Sequence, residues 1–344
     1  LPSKLEHLTL INYNTPLPIL PSHHLKSFNV SLDYMSIGHY IKKLYINGSF
    51  PSSLTSLDLP HYMNQGLTVG TLPQSLISLH LGTYNNYLLP GVLPNNLENL
   101  RTGVEYNKLL EKNILGDNIQ SLEFGTNYNQ PIGVGVFPSN LRSLTFGREY
   151  NQEISPRVLP NSLESLIFGH SFNQPINEGT IPTGLITLKF GDSFNQPIVV
   201  LDTLPSSITS LSFGTSFHQT LMLCILPSAL LSLGIASKRT IVCELPESLT
   251  SLEYTGSSAS IIDDTVRDSE NLQNVLIRLN IRDLSILEGI GMEKPFEFLT
   301  KLKFELYFNS PFDRSFFLQK LLILILGASI PRRSSHILCQ RLSD

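Results

Sequence analysis

Tryptophan is absent from this 344-residue chain, and cysteine occurs three times. Three cysteines (Cys224, Cys243 and Cys339) cannot staple a disulfide scaffold, and their scarcity points to a reducing compartment, here read as the cytoplasm. Charged residues make up only 15% of the chain and the net charge is −4. This excludes a basic nucleic-acid binder and the charge density of a disordered acidic tail. Long apolar runs are missing too: the longest, LLILILGASI at 321–330, is too short to span a bilayer and is expected to be a buried or interfacial strand. No His-Glu-x-x-His, P-loop, Gly-x-Ser-x-Gly or dinucleotide fingerprint occurs, and no Cys-x-x-Cys pair offers a zinc site. The nine histidines are scattered, and the tripeptides at Asn29 and Asn47 that fit a glycosylation sequon are too loose to weigh. The chain opens on Leu1, and a processed or truncated N-terminus is expected.

What the chain has in abundance is repetition. LIFGHSFNQPI at 166–176 returns as LKFGDSFNQPI at 188–198. A Leu-Pro-like pair recurs from Phe50-Pro51 to Leu226-Pro227 at steps of 21 to 23 residues, with Leu115-Gly116 filling one place. Three residues after each proline comes Leu-x-x-Leu-x-Phe, as in Leu141/Leu144/Phe146 and Leu163/Leu166/Phe168. Looser copies stand at Leu5/Leu8/Leu10, Leu25/Phe28/Val30, Ile41/Leu44/Ile46 and Leu249/Leu252/Tyr254.

Counting Leu163 as position one, positions four and six alternate with polar residues, which is the period of a half-buried strand. Glycine holds position seven at Gly82, Gly103, Gly125, Gly147, Gly169, Gly191 and Gly214, where a tight turn with positive φ is expected. An aromatic-Asn pair follows at positions ten and eleven (Tyr106-Asn107, Phe172-Asn173). The remainder of each unit is too short and too rich in proline for a stable helix.

One such unit cannot bury its own apolar face, so units must stack as coils, like side chain on like. The expected fold is mostly β: a leucine-rich-repeat-like solenoid with one continuous parallel β-sheet, about 13 to 16 coils and irregular ends. Residues 1–254 form the array. After a polar insert, Leu276/Leu279/Ile281 and Leu299/Leu302/Phe304 resume the pattern, so 255–344 is read as degenerate repeats and a cap continuous with the array.

The string Leu-Pro-x-Ser-Leu-x-x-Leu-x-Phe-Gly-x-x-Phe-Asn-Gln-Pro-Ile, best written at 159–176 and 181–198, resembles the FNIP repeat, a 22-residue relative of the leucine-rich repeat. That resemblance implies a binding scaffold. Some members of the family carry an F-box or a kinase-like domain beside the array; neither is visible in this chain.

Asn at position eleven and the recurrent Ser at position three are read as architecture, because a nucleophile needs one activated residue rather than a column of them. Cys224 and Cys243 share a column in adjacent coils, which admits either a disulfide or two stacked thiols. Position five is different: Asn29, Tyr45, Asp58, His80, Arg101, Glu123, Thr145, Ile167 and Lys189 vary in size and sign on a constant frame. Varied chemistry on a repeated scaffold is how solenoids present recognition surfaces. Asp58, His80, Arg101, Glu123 and Lys189, flanked at position two by Arg142 and Glu164, are therefore the candidate partner-binding residues. The alternating signs disfavour a phosphate backbone.

The functional expectation is a non-enzymatic scaffold binding a protein through its concave strand face, with no cofactor, metal, nucleic acid or membrane. Two alternatives stand: the substrate-reading part of an F-box-type ubiquitin-ligase adaptor whose N-terminal domain lies outside this sequence, and a degenerate enzyme within 255–344.

Overall fold

A computed structural model describes residues 4–11, 24–31, 50–59, 66–198, 203–219, 226–235, 246–256, 274–281 and 301–308. The expected coil at Ile41/Leu44/Ile46, the cysteine pair Cys224 and Cys243, and the apolar run at 321–330 lie outside these residues. The chain divides into two compact units, Leu1–Phe194 and Asn195–Asp344.

Among the described residues the first unit carries nine strands: β1 His7–Ile11, β2 Ser27–Ser31, β3 Ser56–Asp58, β4 Ser78–His80, β5 Asn99–Arg101, β6 Ser121–Glu123, β7 Ser143–Thr145, β8 Ser165–Ile167 and β9 Thr187–Lys189. Each pairs with the next in parallel, so this is a β-solenoid of the leucine-rich-repeat kind. β2 pairs directly with β3. The second unit repeats the scheme with β10 Ser210–Ser212, β11 Ser232–Ile235, β12 Ser251–Gly256, β13 Asn274–Ile281 and β14 Lys301–Phe308, again parallel and in chain order.

Register follows the repeat. Leu122, Leu144, Leu166 and Leu188 face one another across β6 to β9, and all are buried. Phe124, Phe146, Phe168 and Phe190 form a second column with ring centroids 5.5 Å apart. Each stacks on the position-ten aromatic of its own coil at 3.8–4.0 Å. Thr102 interrupts the phenylalanine column. It is buried, and its hydroxyl accepts the N–H of Gly125 at 2.8 Å, so the polar break is satisfied.

The expectation of positive φ at position seven fails for all but one of the described glycines in that column. Gly82 alone among Gly82, Gly103, Gly125, Gly147, Gly169 and Gly191 has positive φ (59°), in the unit that is one residue short. The others are glycine for lack of room. A Cβ on Gly125, Gly147, Gly169 or Gly191 would lie 1.8–2.0 Å from the carbonyl oxygen of the glycine one coil earlier.

Strand length tracks this position. With glycine there, β4 to β10 stop after three residues. With Ile11, Ser31, Thr255, Arg278 or Glu305 there, β1, β2, β12, β13 and β14 run on to five to eight residues. A side chain cannot enter the close turn over the preceding coil, so the chain stays extended; β3 departs from this, stopping after three residues where the sequence has Pro60, which lacks the N–H a ladder needs.

Position seventeen is where positive φ is actually used: Gly70, Gly91, Asn113, Gly135, Arg157 and Gly179. At Gly91, Gly135, Arg157 and Gly179 the residue is third in a four-residue turn closed by Val92 N–Leu89 O, Val136 N–Gly133 O, Val158 N–Ser155 O and Thr180 N–Asn177 O bonds of 3.1–3.3 Å. Proline second and positive φ third, as in Leu89-Pro90-Gly91-Val92, mark type II turns.

The asparagine column is structural, as expected. Each side-chain oxygen accepts the backbone N–H of the next Asn: Asn107 Oδ1 from Asn129, Asn129 Oδ1 from Asn151 and Asn151 Oδ1 from Asn173, at 2.9–3.0 Å. The same oxygens accept the amide of the following Gln at 3.0 Å. In the second unit Asn195 serves His218 and Gln219 alike. The residue just before position one ties coils together as well: Ser75 and Ser162 donate to Leu54 O and Leu141 O at 2.6 and 2.7 Å, and Asn118 to Asn95 O at 2.8 Å.

In the second unit, β12, β13 and β14 continue the parallel register. Val275, not Leu279, stands opposite Leu252, with Leu302 beyond it. The frame expected at Leu276/Leu279/Ile281 is therefore four residues late, because Val275 and Ile277 supply the same alternation earlier.

Candidate functional site

In β3, β4 and β6 to β8 the central Leu is buried and its two neighbours are half-buried, so positions three and five share the solvent face. Pairing places position five in one row: Thr9, Asn29, Asp58, His80, Arg101, Glu123, Thr145, Ile167 and Lys189. The variable column is therefore a contiguous stripe. Position three makes a parallel row of Ser27, Ser56, Ser78, Asn99, Ser121, Ser143, Ser165 and Thr187.

Four candidate residues meet around one shallow depression of about 250 Å³: Asp58, His80, Arg101 and Glu123. Ser78, Asn99 and Ser121 complete its polar lining, over Leu79 and Leu100. Asn99 was not singled out from the sequence, although the signal was present: it alone breaks the hydroxyl row between Ser27 and Thr187, and it is exposed.

Strand spacing decides the electrostatics. Neighbouring coils bring opposite charges within reach, and the stripe pairs with itself: Arg101 Nε lies 3.1 Å from Glu123 Oε1, and His80 Nδ1 3.9 Å from Asp58 Oδ1. Asn29 donates to the other oxygen of Asp58 at 2.9 Å. The position-two candidates Arg142 and Glu164 form their own ion pair outside the depression. Lys189 lies farther along the stripe, exposed, beyond Thr145 and Ile167. The seven candidates thus resolve into a cluster of four, a separate pair and one outlying cation. Alternation of sign, legible in the sequence, is here the source of these contacts.

Elsewhere, His170 Nδ1 lies 3.2 Å from Asp192 Oδ2, but the adjacent Ser171 hydroxyl contacts Glu149 at 3.4 Å instead. No nucleophile–base pair is assembled there. Among the described residues no group of three or more His, Cys, Asp or Glu side chains is placed to hold a metal ion, and no helix is long and apolar enough to cross a membrane.

Comparison with known proteins bears on the repeat architecture. The model of the FNIP repeat matches residues 63–103, 84–127, 106–141, 128–171, 172–214 and 200–238. Among solved structures, the chain is similar to CroV588, described as a novel circular LRR protein, with a TM-score of 0.69 and 29% identity. That similarity covers 90% of this chain and 51% of CroV588, so the chain spans about half that protein's length. An internalin (inlF) from Listeria monocytogenes str. 4b F2365 aligns with a TM-score of 0.40 and 13% identity, over 90% of this chain and 83% of its own. No curated protein sequence matches.

Proposed function

Since the chain belongs to the FNIP repeat family, we propose that it is a non-enzymatic scaffold binding a partner protein through the strand face of its solenoid. The observation that carries this reading is the convergence of Asp58, His80, Arg101 and Glu123 on one depression. Elsewhere the coils repeat the same residue because stacking demands it; along this row they do not, and the chemistry is left to contact. Arg142, Glu164 and Lys189 extend the surface on one flank, toward β9. The partner supplies groups that compete for the exposed ends of the Arg101–Glu123 pair, which is weak because water screens it.

The wider reading treats 1–254 as the array and 255–344 as degenerate repeats and cap, about 13 to 16 coils in all, acting in the cytoplasm. The parallel pairing of β12 with β13 and of β13 with β14 supports that extension. An F-box adaptor is a narrower case of the same scaffold, to be decided by the full-length N-terminal sequence. For the binding claim, the test is affinity capture from the native cell with wild type and with the double variant Arg101→Ala/Glu123→Ala. We expect the variant to lose a partner while its circular dichroism and melting curve hold. An identical set of captured proteins would refute the strand face as the binding surface.

A further inference from the structure

The position-ten aromatics hold an unexplained polar feature. Tyr84, Tyr106, Tyr128, Tyr150, Phe172 and Phe194 follow one another in a single buried column. Successive rings from Tyr106 to Phe194 lie within 8° of parallel, with centroids 6.0–6.2 Å apart. Stacking proceeds equally well through the phenylalanines, so it does not require a hydroxyl. Yet the hydroxyls of Tyr106, Tyr128 and Tyr150 are fully buried without a hydrogen-bond partner. Burial also pushes all three well above the usual phenol range. A buried unpaired hydroxyl is costly, and three in a row would be selected against unless something met them.

Tyr84 shows what that something must touch. Its hydroxyl accepts the N–H of Leu67, four residues after the preceding coil's position-ten residue, at 3.2 Å. It donates to Tyr87 O, three residues on in its own coil, also at 3.2 Å. In the next three coils the equivalent N–H groups belong to Leu88, Leu110 and Ile132, all buried. No backbone hydrogen bond takes up any of them. The equivalent carbonyls are those of Leu109, Pro131 and Glu153. Each step of the ladder therefore leaves a hydroxyl and an amide N–H unmet together. The ring spacing sets successive hydroxyls about two hydrogen-bond lengths apart.

We infer that the coils of Tyr106, Tyr128 and Tyr150 each bind one internal water molecule, bridging the tyrosine hydroxyl to the N–H of Leu88, Leu110 and Ile132 respectively. A buried water takes about three partners, and the hydroxyl, the N–H and the equivalent carbonyl provide that number. The row of waters begins where Tyr84 makes these contacts itself and ends where Phe172 removes the hydroxyl. The tyrosines are thus part of a hydrated seam within the apolar spine, independent of what the strand face binds.

Two measurements test this. A crystal structure sharp enough to show ordered solvent should reveal density within hydrogen-bond distance of each hydroxyl and its paired N–H. Dry sites at Tyr106, Tyr128 and Tyr150 would overturn the inference. Second, Tyr128→Phe should lower the melting temperature, because it strips a partner from the water and strands the N–H of Leu110. An unchanged or raised melting temperature would mean that the hydroxyl was an orphan after all.

Discussion

Adding one methyl group to Gly147 is the sharpest trial of how the coils stack. An alanine Cβ at this position would lie 1.8 Å from Gly125 O and 2.5 Å from Gly125 C. Both are backbone atoms, so no side chain can swing aside, and the coils must separate by more than an ångström. Overpacking of a filled core costs about 1–3 kcal/mol, and a backbone obstacle belongs at the upper end. Separation here also loosens the Asn151 N–Asn129 and Gln152–Asn129 bonds between the same two coils, at roughly 1 kcal/mol each. The sum is on the order of 3–5 kcal/mol for a single methyl. Gly133 is the control: it lies in a surface turn with nothing within 4 Å of a built Cβ and no positive φ. Gly133→Ala should change stability by less than about 1 kcal/mol, with the sign favouring alanine through the unfolded chain. Urea unfolding followed by circular dichroism compares the two. Equal midpoints for Gly147→Ala and Gly133→Ala would refute the claim that position seven is glycine because the coils touch there.

The remaining predictions use the same measurement unless stated. Asn129→Ala removes the acceptor for Asn151 N and Gln152 Nε2 and should cost about 1–3 kcal/mol, whereas an exposed polar side chain with no ladder role would cost almost nothing. Arg157→Gly should be neutral to stabilising by up to about 1 kcal/mol, since it relieves a non-glycine residue held at φ 67° while adding chain entropy to the unfolded state. Glu164→Gln should alter stability by less than about 1 kcal/mol and abolish whatever salt dependence the pair with Arg142 contributes, because both side chains are exposed. Tyr106, Tyr128 and Tyr150 have raised folded-state pKa values, so the folded chain holds their protons more tightly than the unfolded chain does. Their contribution is complete below the ordinary phenol pKa near 10 and is lost as pH rises beyond it, so alkaline titration should show their ionisation together with unfolding.

How much of this the sequence disclosed depends on what each column answers to. Leu144, Leu166 and Leu188 were legible because burial of a strand face writes a period of two, and stacking writes a period of 22 on top of it. Position seven was legible as glycine but not for its reason. The sequence shows that a side chain is missing, while a close approach and a left-handed turn leave the same mark. The true left-handed position, seventeen, hid behind Asn113 and Arg157, which break the run of Gly91, Gly135 and Gly179. The candidate site was legible as a row but not as a set of contacts. Whether Arg101 meets Glu123 depends on rotamers, and these are not recorded in a repeat whose register is otherwise fixed. The hydroxyl row at Tyr106, Tyr128 and Tyr150 was visible only as aromatics, since core and seam use the same rings.

This division of labour also bears on which surface is free to bind. A residue copied in every coil is held by its copies: removing Asn129 strands donors in the following coil, and enlarging Gly147 pushes on the preceding one. Such columns cannot change without loss of the frame. Arg101 and Glu123, by contrast, pair across an exposed strand face, where an ion pair is worth about 0–1 kcal/mol. Exchanging that pair for contacts with another protein costs the fold almost nothing. Beneath them Leu79 and Leu100 keep the strands in place whatever the stripe carries. The face with least to lose by substitution is thus the one around the depression, and variation at position five is the mark that this freedom leaves in the sequence.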